Sequence, residues 1–131
     1  METAKRGRKL HKEVCVHTHF NHPREITGIS RRATSRLFEE GITVRNQAVL
    51  LRGVNDSVEA LAALSERGFA AGVLPYYLHQ LDRVQGAAHF EVSDDRARSI
   101  HADLAARLSG YLVPRLVREV AGDSGKRPLT A

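Results

Sequence analysis

The alternation of apolar and polar positions changes period several times along this chain, and each change marks an element. From Val14 the run VCVHTHF alternates, with Val14, Val16, Thr18 and Phe20 turned one way and Cys15, His17 and His19 the other. That is the period of a half-buried strand. Asn21, His22 and Pro23 break it. Ile26, Ile29, Ala33 and Leu37 then recur at spacings of three and four, with Gly41 after them, which predicts an amphipathic helix from about Thr27 to Glu40. ITVRNQAVLL is β-branched and apolar, a second strand. RGVNDSVE ends it, with Asp56 placed to cap a helix and Glu59 completing a capping-box-like pair. Val58, Leu61 and Leu64 supply the buried side of that helix. Gly72 resets the chain, and VLPYYL from Val73 reads as a buried third strand emptying into DRVQGAAHF, which is too polar and irregular to continue it. Ser93 is placed to cap a long helix, with Asp94 and Asp95 in the first turn where the helix dipole favours acids. Ala97, Ile100, His101, Leu104 and Leu108 carry it towards Gly110. YLVPRLVREV is a further apolar stretch interrupted by Pro114, and the turn-rich GDSGKRPLTA closes the sequence.

Strand, helix, strand, helix, strand is the order of a parallel α/β sheet. His19, Gln47 and His79 fall at intervals of 28 and 32 residues, the length of a βαβ unit. About three such units do not close a barrel, and an uncovered parallel sheet with an unpaired edge invites association. The expected organisation is a basic, disordered leader over residues 1–12, the βα units over 13–109, and a helical extension with a Gly-rich, Lys-containing tail over 110–131.

A length of 131 residues with 42% hydrophobic content suits one domain or part of one. Nothing in it is long and apolar enough to cross a membrane, and no secretory segment follows the first Met, so a cytoplasmic protein is expected. The single Cys excludes an internal disulfide and cannot by itself supply the thiolates of an iron–sulfur cluster. The net charge of +5 is mostly local: residues 1–12 hold five Lys or Arg against one Glu, and the rest holds fifteen against fourteen. With no aromatics among those leader cations, nucleic-acid binding is not expected.

Several residues could carry chemistry. Asp82 stands where a strand empties into a loop, the place of a ligand-binding carboxylate in barrels and open α/β sheets, and equally of a turn-capping Asp. His17, His19 and His22 form H-x-H-x-x-H. Imidazoles two apart on a strand can share a metal, as in metal-dependent hydrolases, or can be polar residues hydrogen-bonded to one another. Lys126 in GDSGKRPL does not belong to a Walker loop, which needs four residues rather than two before its GK and then Ser or Thr rather than Arg127. Arg52, Asn55 and Asp56 read as a structural strand-end turn.

PYYLHQLDRVQGAAHF, with HTHFNHPREIT, NQAVLLRGVND and SGYLVP in the same order, resembles the carboxyl-terminal part of the lysine 2,3-aminomutase family of radical S-adenosylmethionine enzymes, from Val14 to Leu129. The resemblance implies the later strands of a partial parallel (β/α) barrel and a missing earlier half whose CxxxCxxC motif holds a [4Fe–4S] cluster. It further implies that His19 and Gln47 contact S-adenosylmethionine and that Lys126 forms the aldimine with pyridoxal phosphate. Asp82 and Glu119 would hold the distant ammonium of L-lysine; Glu119, where clostridial-type members have Asp, and the GAAHF run resemble the branch that makes β-lysine for elongation factor P. A chain of this kind is expected to be inactive alone and to need a separate amino-terminal half or to form a homo-oligomer. A metal-dependent hydrolase and a non-catalytic interaction remnant are the alternatives.

Overall fold

The computed structural model describes residues 14–81, 88–119 and 126–130. The elements in order are β1 (Cys15–Thr18), α1 (Gly28–Glu39), β2 (Thr43–Leu50), α2 (Val58–Ala70), β3 (Val73–Gln80), α3 (Asp94–Arg107), β4 (Arg115–Glu119) and β5 (Lys126–Pro128). They form one five-stranded sheet in the order β1-β2-β3-β4-β5. The first four strands are parallel, and β5 returns antiparallel to β4.

The alternation read from the sequence decides which face of this sheet is covered. Ala48 and Leu50 of β2, Leu78 of β3 and Leu116 of β4 join Leu61, Ala62 and Leu64 of α2 and Ala97, Ile100 and Leu104 of α3 in one core. Burial of the leucine and isoleucine side chains among them stabilises the fold by roughly 1.5–3 kcal/mol each. The other face carries His17, Arg45, Gln47, Tyr77 and His79, all exposed or half-buried. Helices therefore dress one side of the described sheet, and polar side chains line the opposite one.

Four expectations are corrected. The helical extension expected after Gly110 is instead a 3-10 turn at Gly110–Leu112 followed by β4 and β5. Pro114 has no N–H to give a helix, and the Leu116 side chain is fully buried in the sheet core, with Leu129 N donating to Leu116 O at 2.9 Å. The cap of α2 is Ser57, whose side chain accepts from Ala60 N at 3.1 Å. Asp56 instead accepts from Gly53 N at 2.9 Å and lies 3.6 Å from Arg96 Nε, so it closes the turn and reaches across to α3. A capping box does occur, but in α1, between Thr27 and Ser30. Finally Ile29, expected on the buried stripe of α1, is 75% exposed, whereas Ile26, held in the preceding turn, is buried.

Candidate functional site

The face turned away from the helices brings together a connected row of side chains from several strands. Gln47 on β2 is its centre: its Nε2 donates to His17 Nδ1 on β1 at 2.6 Å, and its Oε1 accepts from His79 Nε2 on β3 at 3.2 Å. This arrangement places the His17 proton on Nε2, because Nδ1 is the acceptor. Tyr77 lies beside His79, ring centroids 5.6 Å apart, and the Lys126 ammonium of β5 lies 5.2 Å from the Tyr77 ring centroid, within range of a cation–π attraction. At the other end of the row His17 meets Tyr76 edge-on at 5.8 Å, and the Arg45 guanidinium stands 4.9 Å from the Tyr76 centroid.

An irregularity in β3 makes this possible. The pairing of β2 with β3 runs Asn46↔Pro75 and then Gln47↔Tyr77, so Tyr76 is an extra residue on β3. Such a bulge lets two successive side chains approach each other, and the Tyr76 and Tyr77 rings lie 4.1 Å apart. Pro75 is the residue in the chain that announces it, since a proline inside a sheet is confined to edges and bulges. The Tyr77 phenol is held above its usual range, by the hydrogen bond with Tyr76 first, then by burial and the Tyr76 charge, with Arg115 opposing. Tyr77 therefore stays neutral and keeps its donor proton.

The residues singled out from the sequence fare differently. Gln47 and Lys126 both lie on this row, Lys126 half-buried. His19 stands one residue beyond β1 and is exposed. The backbone of Glu119 is the register partner of Lys126, which puts both at the carboxyl end of the parallel strands. Asp82 falls outside the described residues. The H-x-H-x-x-H histidines do not act together: His22 Nδ1 accepts from Arg24 N at 3.1 Å to cap its own turn, and His17 is engaged by Gln47. Among the described residues no three His, Cys, Asp or Glu side chains converge as a metal site. Arg52 and Asn55 are structural, as expected. Arg52 donates twice to His89 O, at 3.2 and 3.0 Å, and the Asn55 amide bonds Leu51 N, Val49 O and Asn21 O.

Two further features frame the row. Behind it, on the helix side, Gln80 and Arg118 both bond Asp94 at the start of α3, at 3.1 and 2.5 Å. Burial raises the Asp94 carboxyl, but hydrogen bonds from Arg118 and Gln80 and the charges of Arg118 and Arg98 outweigh it and hold the group below its usual range. A cavity of about 600 Å³ lined by Phe38, Ile42, Val44, Phe69 and Leu74 lies at the opposite, amino-terminal end of β2 and β3, away from Lys126.

No protein-family model matches the chain. It is 52% identical over 117 residues to the L-lysine 2,3-aminomutase of Escherichia coli K12, covering 89% of this chain and 34% of that protein. The L-lysine 2,3-aminomutase of Haemophilus influenzae is 51% identical over 109 residues, 83% of this chain and 32% of its own length. That of Clostridium subterminale is 40% identical over 121 residues, 92% of this chain and 29% of its own. The chain thus spans about a third of the length of the curated relatives it matches.

Proposed function

We propose that this chain, which belongs to the lysine 2,3-aminomutase family and corresponds to a carboxyl-terminal part of it, supplies the S-adenosylmethionine-contacting, cofactor-anchoring and substrate-holding side chains of an L-lysine 2,3-aminomutase. The reaction moves the amino group of L-lysine from carbon 2 to carbon 3. When bound, pyridoxal phosphate supplies a conjugated ring that carries the migrating nitrogen, and S-adenosylmethionine supplies the radical that starts the migration.

The observation that carries this reading is the row Gln47, His79, Tyr77 and Lys126 on one sheet face, with Lys126 paired through its backbone to Glu119. A primary amine that must be displaced and later return suits a short strand beyond the parallel core, and Lys126 is the only lysine after Lys12. The Tyr77 ring, 5.2 Å from the Lys126 ammonium, offers it a cation–π attraction that helps to place the amine over this face. Gln47 and the imidazoles of His17, His19 and His79 offer hydrogen-bond donors and acceptors, which suit a zwitterionic, adenosine-bearing ligand. Glu119, with Asp82, would hold the far ammonium of lysine and disfavour a substrate ending in a carboxylate. A [4Fe–4S] cluster does not fit these residues: Cys15 is the sole cysteine, so cluster thiolates would have to come from outside this sequence.

Borohydride reduction in the presence of pyridoxal phosphate, followed by peptide mass mapping, tests the assignment. The expected label sits on Lys126 and disappears in Lys126→Ala. Label confined to Lys5, Lys9 and Lys12 would count against it.

A further inference from the structure

Asn46 is a buried amide, 8% exposed, on the face of β2 that otherwise presents Val44, Ala48 and Leu50 to the core. Such a group is costly inside an apolar layer unless its hydrogen bonds are made. All of them go to one place. Its Oδ1 accepts from Thr18 Oγ1 at 2.8 Å and from Phe20 N at 2.8 Å, and its Nδ2 donates to Phe20 O at 2.9 Å. The side chain thus imitates a neighbouring strand and grips both sides of His19, beyond the point where the β1–β2 ladder stops at Thr18. Asn21 Oδ1 then accepts from Val49 N at 2.9 Å, tying down the next residue but one.

We propose that Asn46 is a positioning residue for His19. Resting on the reading that His19 and Gln47 contact S-adenosylmethionine, it acts by fixing the backbone at residues 18–20 so that the His19 side chain leaves the strand on the side of Gln47. Alternation sends His19 and Gln47 to the same face and Asn46 to the other, so one dipeptide, Asn46–Gln47, both presents one ligand contact and orients the second. A role confined to stability would be met as well by an apolar residue in this layer; the three bonds to residues 18–20 favour a geometric one.

The test is a double-mutant cycle on the full chain, with S-adenosylmethionine as the probe and binding read from NMR shifts at concentrations that detect weak association. Asn46→Leu is expected to weaken binding about tenfold, in line with the loss of a charge-free hydrogen-bond set that orders a contact residue. In a His19→Ala background the same change is expected to do almost nothing, a non-additivity that general destabilisation would not give. Equal losses in both backgrounds, or an Asn46→Leu chain that binds like the parent, overturn the positioning role while leaving the site assignment standing. A parent chain that does not bind the probe overturns the assignment and this inference with it. Should Asn46→Leu not fold, Asn46→Asp keeps the acceptor bonds but sets a carboxylate oxygen against Phe20 O where the donor was, and a loss of binding that again vanishes without His19 is expected.

Discussion

At the scale of single residues, the polar side chains divide into a row facing outward and a set of amides and charges facing the helices. Asp94 belongs to the second set, and its chemistry gives a pH prediction. Its carboxyl is depressed in the folded chain by Arg118 and Gln80 despite burial, so it stabilises the fold above the ordinary carboxylate value. That contribution is lost as pH falls from about 4 downward through the folded-state value. Asp94→Asn should therefore lower stability by about 1–2 kcal/mol near neutrality. The gap from the parent should narrow in acid. Urea unfolding at pH 7 and pH 3 measures it, and a gap that stays constant would remove the ion pair from the account.

At the scale of elements, the glycine between α2 and β3 decides how the helix joins the strand. Gly72 has φ +83°, and a Cβ there would lie 2.7 Å from Phe38 Cβ on α1. Gly53 has a similar φ of +77° but open space around the position. Gly53→Ala should cost about 1 kcal/mol from the left-handed backbone alone. Gly72→Ala should cost about 2–4 kcal/mol, because the α1–β3 contact must also give way. Equal losses in thermal unfolding would mean that the α1 backbone at Phe38 shifts freely to relieve the contact. The same scale explains the second half of the chain: Pro75 and Pro114, which look like interruptions, mark a bulge inside β3 and the entry to β4.

For the whole molecule, the consequence is division of labour. One face of the described sheet is packed by α2 and α3, and the other holds the row from His17 to Lys126, on a chain about a third as long as its curated relatives. With one cysteine, the 131-residue chain reconstituted anaerobically is expected to retain no stoichiometric iron and sulfide, and to convert L-lysine to β-lysine only when a CxxxCxxC-bearing portion is supplied. Stoichiometric cluster in the isolated chain would refute the proposal that the cluster thiolates come from outside this sequence.

Local pattern was enough for the strand–helix order through β3, for the Ser93 cap with its acidic first turn, for the two faces of β1 and β2, and for the motifs that led to the family. These depend on neighbours a few residues apart, where period and capping chemistry act directly. Pattern could not say that β4 and β5 replace a helical extension, that Ser57 rather than Asp56 caps α2, or that Asn46 would turn its amide to residues 18–20. Those outcomes compare alternatives of similar local energy, and contacts between residues 26 or more positions apart break the tie. The meeting of Gln47 with His17 and His79 is of the same kind: the residue types are written in the chain, but strand order, register and one bulge determine which of them touch.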